Sequence, residues 1–270
     1  RDFAGSGRSA QLRFAAIMIS APALGGLGAG LIMYYIAPYA SGSGVPQTKK
    51  AYYRDFGIMR LREAFWRFVL GVLSVGSGNS LGREGPTVHM CAAIASSMGQ
   101  AFGLARARVQ AMIPVGMAAG VAAAFNAPLS AITFVFEELL DDFSTKALGG
   151  IVVAVVIAAT VERSILGEHP IFPGVLPEFS GSWWMLVCIP LGLVSAFFGH
   201  YFCALLLRLR SQAREWKRIP VYLKPAIGGL LVGVIGTLIY WITEQNGVFS
   251  VGYENLELST LPGTVFWVFG

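Results

Sequence analysis

Three short segments of the chain run through a polar or glycine-rich loop, a proline and then an apolar stretch: Gly42-Ser43-Gly44-Val45-Pro46, Gly82-Arg83-Glu84-Gly85-Pro86 and Phe125-Asn126-Ala127-Pro128. Proline near the first helical position, with glycine or asparagine just before it, marks a helix start. Each segment is therefore expected to present unpaired backbone N–H groups to whatever lies in front of it. Such an end carries roughly half a positive charge and attracts anions. Several of them aimed at one point inside a membrane would hold a halide without burying a full ammonium charge, and the Ser43 hydroxyl would add one more donor. A single loop of this kind is as readily an interfacial helix cap; three in one chain favour an anion site.

Two acidic features stand beside these loops. Glu84 lies between glycines just ahead of a helix, where ionisable groups are costly and usually functional. A carboxylate at a helix N-terminus occupies an anion site itself, and protonation would release it; the competing role is a static cap paired with Arg83. Glu137 and Glu138 fall near the end of the helix that Pro128 starts, where the macrodipole disfavours negative charge. They read either as proton-handling groups or as solvated acids at a membrane surface. A remote alternative makes them the general acid and base of an intramembrane hydrolase, a role for which the apolar segments hold few histidines. His89 faces the same region but reads as a core residue, and His169 and His200 are isolated. Cys91, Cys188 and Cys203 show no CxxC spacing and read as buried thiols. No metal or organic cofactor is expected.

The elements that position these loops must cross a bilayer. The 270 residues are 55 % hydrophobic and only 13 % charged, about half the charged share of a soluble domain, and mean hydropathy is +0.62. The net charge of +5 and a pI near 9.2 come from basic residues in the breaks between apolar stretches, not from a surface stripe, so no nucleic-acid partner is implied. Apolar stretches cover 14–37, 65–76, 87–102, 111–136, 148–161, 183–207 and 225–242. Several are too short or too broken by glycine for the ~20 residues of a plain span, so some helices are expected to stop at mid-depth and line a permeation path. Residues 208–224 carry Arg208, Arg210, Arg214, Lys217, Arg218 and Lys224, whereas 167–182 carry Glu168, Glu178 and no lysine or arginine. The first segment is therefore expected on the cytoplasmic side and the second outside, which puts Glu137, Glu138, Asp141 and Asp142 near the inner face.

The chain also repeats itself. Pro22-Ala-Leu-Gly-Gly-Leu27 followed by Gly30 returns as Pro225-Ala-Ile-Gly-Gly-Leu230 followed by Gly233, an offset of 225 − 22 = 203. Duplicated halves that enclose a midplane site are a transporter signature. On that offset residue 270 answers to residue 67, and both chain ends read as cut.

GSGVP, GREGPTVH and AAFNAPLSAITFVFEEL together resemble the CLC family of chloride channels and chloride/proton exchangers, in the family's order and over most of the chain from about residue 14. The resemblance implies an all-α polytopic membrane protein of inverted-repeat architecture with broken, tilted helices. Residues 1–182 would be most of the first half of the pore domain and 183–270 an incomplete second half. It further implies that Ser43, with Gly44, Val45, Arg83 and Gly85, binds the central chloride, that Glu84 is the external gate, that Glu138 is the internal proton acceptor and that Glu137 is its accessory. An acid at position 138 favours a chloride/proton antiporter over a passive gated channel. The loop and the late tyrosine that complete the family's chloride site from the second half are absent from these residues. The implied partners are chloride, protons, the lipid bilayer and a second copy of the chain, with dimer contacts from residues 128–140 and 148–161. The implied location is an integral membrane, the inner membrane if the source is bacterial.

Overall fold

A computed structural model describes residues 8–140, 145–167, 184–243 and 247–252. Among them there are nine α-helices and no strand: α1 Arg8–Tyr35, α2 Val45–Tyr53, α3 Leu61–Gly76, α4 Glu84–Ala101, α5 Arg106–Phe125, α6 Pro128–Val135, α7 Thr145–Leu166, α8 Trp184–Glu215 and α9 Lys224–Thr243. Five segments are long and apolar enough to cross a membrane: Gln11–Tyr35, Arg106–Phe125, Leu148–Leu166, Leu186–Glu215 and Val221–Thr243. The others are short, as the glycine and proline punctuation requires. Helices α2 and α6 have 9 and 8 residues, under half of the ~20 needed to span the bilayer.

The apolar stretch 111–136 is therefore not one helix. Asn126 closes α5 in the left-handed conformation (φ 47°, ψ 36°), which asparagine tolerates at a helix end, and Pro128 reopens a helix two residues on. Helix α6 then widens into a π turn at Phe136–Leu140. In the other direction, the basic segment expected as a loop at 208–224 is helical up to Glu215. Helix α8 has 32 residues, about 48 Å at 1.5 Å per residue, so it outreaches the ~30 Å hydrocarbon core and carries Arg208, Arg210 and Arg214 on its emergent turns.

The two copies of the repeated motif pack against each other. A Cβ added at Gly26 would strike the Pro225 carbonyl, and one at Gly229 would strike the Pro22 carbonyl. One at Gly30 would strike the Tyr222 carbonyl, and one at Gly233 would lie 2.7 Å from Ile19 Cα. Each contact maps onto its mate by the offset of 203: 26 becomes 229, 22 becomes 225, 30 becomes 233 and 19 becomes 222. The α1–α9 pair is thus isologous about a local two-fold, with the helices antiparallel and glycine letting the backbones touch. That is the geometry of an inverted repeat.

A further core forms around α5. Its buried face, Ile113, Met117, Ala118, Val121 and Ala122, packs against Val88, Ala92 and Ala93 of α4 and Ile151 and Val155 of α7. Small residues again set the spacing, for a Cβ on Gly116 would meet the Cys91 carbonyl. Cys91 is half-buried, whereas Cys188 and Cys203 are exposed on α8 and not in a core. The boundary expected near residue 182, His169 and the pair Asp141 and Asp142 lie outside the described residues.

Candidate anion site

The turn that opens α2 is held from behind by side chains. Gln47 accepts from the Gly44 N–H at 3.1 Å and donates to the Ser41 carbonyl at 2.9 Å. Arg67 of α3 donates through Nη1 to the Gly42 carbonyl at 2.8 Å and through Nη2 to the Tyr39 carbonyl at 3.5 Å. Gly44 itself sits at φ 108°, a backbone that L side chains rarely adopt. With the carbonyls of the loop tied back, its other face is left to meet α4.

Helix α4 begins at Glu84, with the Arg83 carbonyl accepting from the Thr87 N–H at 3.2 Å and from the Thr87 hydroxyl at 2.9 Å. Its first turn abuts the α2 loop backbone to backbone. A Cβ on Gly44 would lie 2.6 Å from the Gly85 carbonyl and 2.9 Å from His89 Cβ, and one on Gly85 would strike the Ser43 carbonyl. Beneath the contact, His89 Nδ1 and Thr48 Oγ1 are 3.2 Å apart, and the Thr48 hydroxyl donates to the Gly44 carbonyl at 3.0 Å. His89 is 1 % exposed. It is the core residue its apolar helix suggested, and through Thr48 it ties the two helix starts together.

Two of the three proline-headed helix starts therefore converge. A cavity of about 510 Å³ opens beside them, lined by Ser43, Glu84, Gly85, Pro86, Arg67 and Ser74 among others. The Glu84 carboxylate leans over Gly82, where an added Cβ would meet its Oε2. The third start stands apart. Asn126 Oδ1 accepts from Arg163 Nε of α7 at 2.8 Å, and the link to the first two is Arg83, whose Nη2 donates to the Ala124 carbonyl at 3.3 Å.

Of the residues expected to hold the anion, Ser43 and Gly85 line the cavity, while Val45 and Arg83 are not part of its wall. Gly44 is likewise not part of the wall, and its N–H is taken by Gln47. Motif reading missed Arg67, the second charged side chain of that wall. The available signal was its position inside the apolar stretch 65–76, where an ionisable residue is exceptional.

Glu138 lies on the π turn and forms an ion pair with Lys49 of α2 at 2.9 Å. The Tyr53 hydroxyl, also on α2, donates to the Leu139 carbonyl at 2.5 Å. The helix that starts at the anion loop thus ends against the turn that carries the second acidic feature. Glu137 is exposed, and adjacent helical residues point in different directions.

The chain matches the family described as "Voltage gated chloride channel" over residues 25–269. It is 32 % identical over 248 residues to the H(+)/Cl(-) exchange transporter ClcA of Vibrio campbellii, covering 87 % of this chain and 51 % of that protein. A protein of Ralstonia nicotianae named for its likeness to the chloride channel ClcB is 31 % identical over 218 residues, covering 79 % of this chain and 51 % of that one. The chain thus spans about half the length of these relatives. The solved structure of a slow cyanobacterial Cl-/H+ antiporter superposes with a TM-score of 0.74 at 27 % identity, over 96 % of this chain and 60 % of that one. Motifs, fold and relatives agree, and the chain belongs to the voltage-gated chloride channel, or CLC, family of integral membrane proteins.

Proposed function

We propose that the Ser43 and Glu84 loops form part of a pathway that moves chloride across a membrane in exchange for protons. The observation that carries this reading is the backbone-to-backbone meeting of two helix N-termini, with the Glu84 carboxylate on the wall of the cavity they open. Helix-start amides and the Ser43 hydroxyl would receive the anion. Ionised Glu84 would compete for the same positive end, and its protonation would clear the way. Glu138 would take up protons on the other side and pass them toward Glu84, with Glu137 at the mouth of that route. The pair of Glu138 with Lys49 and the bond from Tyr53 to Leu139 tie the π turn to the same helix that opens at the anion loop, which supports a coupled path. The exchangers among the relatives support the antiport reading. The ClcB-like relative supports a second one, a passive chloride channel built on the same site.

Function as a homodimer belongs to the same proposal. Val152, Val153, Val156, Ile157 and Val161 are exposed on α7, whose Ile151 and Val155 are buried, and Leu129 is exposed on α6.

Simultaneous chloride and proton flux in liposomes holding the full-length protein tests the mechanism. Uphill proton movement driven by a chloride gradient is expected, lost in both Glu84→Gln and Glu138→Gln while chloride flux persists. Chloride flux without proton movement in the unmodified protein would leave the channel reading. Retained coupling in Glu84→Gln would refute the gate.

A further inference from the structure

A second cavity, of about 750 Å³, opens at one end of the molecule, where the last turns of α1 and α8 meet the start of α9 and the loop at 38–42. Its wall carries Arg210 and Arg214 from α8 and Lys224 from α9, and no carboxylate. The two arginines are four residues apart on one helix, so they share a face and repel each other. Lys224 is the first residue of α9, at the positive end of that helix dipole, where a cation is disfavoured. Its ammonium donates to the Ala213 carbonyl of α8, which holds it beside the arginines and leaves it two further donors. Among the described residues none of the three forms an ion pair, whereas Lys49 and Lys50 both do. A cytoplasmic segment gathers lysine and arginine for topology alone, but topology does not require cations from two helices to share one cavity. Arg208, Lys217 and Arg218 belong to the same basic segment and are not part of this wall.

The rest of the wall points to the kind of anion. Tyr34 lines the cavity, and its ring centroid lies 4.8 Å from that of Tyr35 and 5.7 Å from that of Tyr222. Clustered tyrosines of this kind mark the headgroup level of a bilayer. Met33 and Val221 add an apolar flank, with Val221 63 % exposed. Counter-charges for a phosphate at headgroup depth, beside apolar surface, suit a phospholipid better than a small hydrated anion. We propose that this cavity binds an anionic phospholipid, with Arg210, Arg214 and Lys224 around the phosphate and Met33, Tyr34 and Val221 against the glycerol and upper acyl chain. The Ser41 hydroxyl, also on the wall, supplies a further donor. Met33 and Gly42 line this cavity and the Ser43 cavity alike, so the lipid sits against the loop that leads to the anion site. The proposal does not depend on how chloride is carried.

Native mass spectrometry of the full-length protein in detergent tests it, with phosphatidylglycerol and phosphatidylcholine of the same acyl chains as probes. Phosphatidylglycerol is expected to stay bound and phosphatidylcholine to be lost. Arg210→Gln with Arg214→Gln is expected to weaken phosphatidylglycerol binding about thirtyfold, the effect of two arginines at an anionic surface. Arg208→Gln with Arg218→Gln removes the same charge outside the cavity and is expected to leave binding at the parent's level. Equal losses in the two double variants would reduce the site to a general basic surface and overturn the proposal, as would no loss in either. Millimolar inorganic phosphate is expected not to displace the lipid; displacement by phosphate alone would overturn the lipid in favour of a free-phosphate site. Should the arginine variant fail to fold, the unmodified protein is cross-linked with phosphatidylglycerol carrying a diazirine in its headgroup. Adducts are expected within residues 33–42 and 210–224, and their absence from both segments would overturn the proposal.

Discussion

Gly44 and Gly82 sit in adjoining glycine-rich loops that each lead into a proline, yet their substitution is expected to have opposite consequences. At Gly44 a Cβ meets backbone, the Gly85 carbonyl, on a chain held at φ 108°. Gly44→Ala therefore combines backbone strain with a clash between two helix starts and is expected to lower stability by ~1–3 kcal/mol, read as an earlier melting transition in detergent, with chloride binding lost. At Gly82 the obstacle is the flexible end of Glu84. Gly82→Ala is expected to fold normally and to displace the carboxylate, so that its defect appears in proton coupling with melting unchanged. Lys49→Ala removes a half-exposed ion pair and is expected to cost under ~1 kcal/mol in the same melt. At this scale the sequence made Ser43 and Glu84 legible, because glycine and proline around a polar residue have few structural meanings. It hid the loss of the Gly44 amide to Gln47 and the convergence of Arg67 on Gly42, since both depend on where a side chain three or more residues away comes to rest.

Among the elements, the α1–α9 pair makes the sharpest demand. Because Gly26 meets Pro225 as Gly229 meets Pro22, Gly26→Ala and Gly229→Ala are expected to destabilise by similar amounts, ~1–3 kcal/mol each from overpacking against backbone. Melting curves of the two variants check this, and a large effect of one with none of the other would break the two-fold. The repeat was readable as a motif with an offset; that its two copies touch each other was not, since a periodicity says nothing about which faces meet. The break between α5 and α6 was only half readable. Pro128 announced a start, but the stretch 111–136 is apolar throughout, and the left-handed turn at Asn126 is a local choice that apolar periodicity does not report. The π turn at Phe136–Leu140 left no trace in the residue types either, although π turns gather at functional sites.

For the whole molecule, composition settled the environment and loop charge the expected orientation. The emergent end of α8, with Arg208, Arg210 and Arg214, is expected on the cytoplasmic side. Ser211→Cys, in a background lacking Cys188 and Cys203, is expected to react with a membrane-impermeant maleimide in inside-out vesicles and not in right-side-out ones; the reverse pattern would invert the topology and move Glu138 to the outer face. In the proposed pathway two helix starts from separate parts of the chain build one anion site that Glu84 contests. Bromide anomalous diffraction from crystals of the full-length protein tests this arrangement. A peak is expected in the cavity bounded by Ser43, Gly85 and Arg67, with a second peak at the place of the carboxylate in Glu84→Gln. Bromide bound elsewhere, with that cavity empty in both proteins, would contradict it.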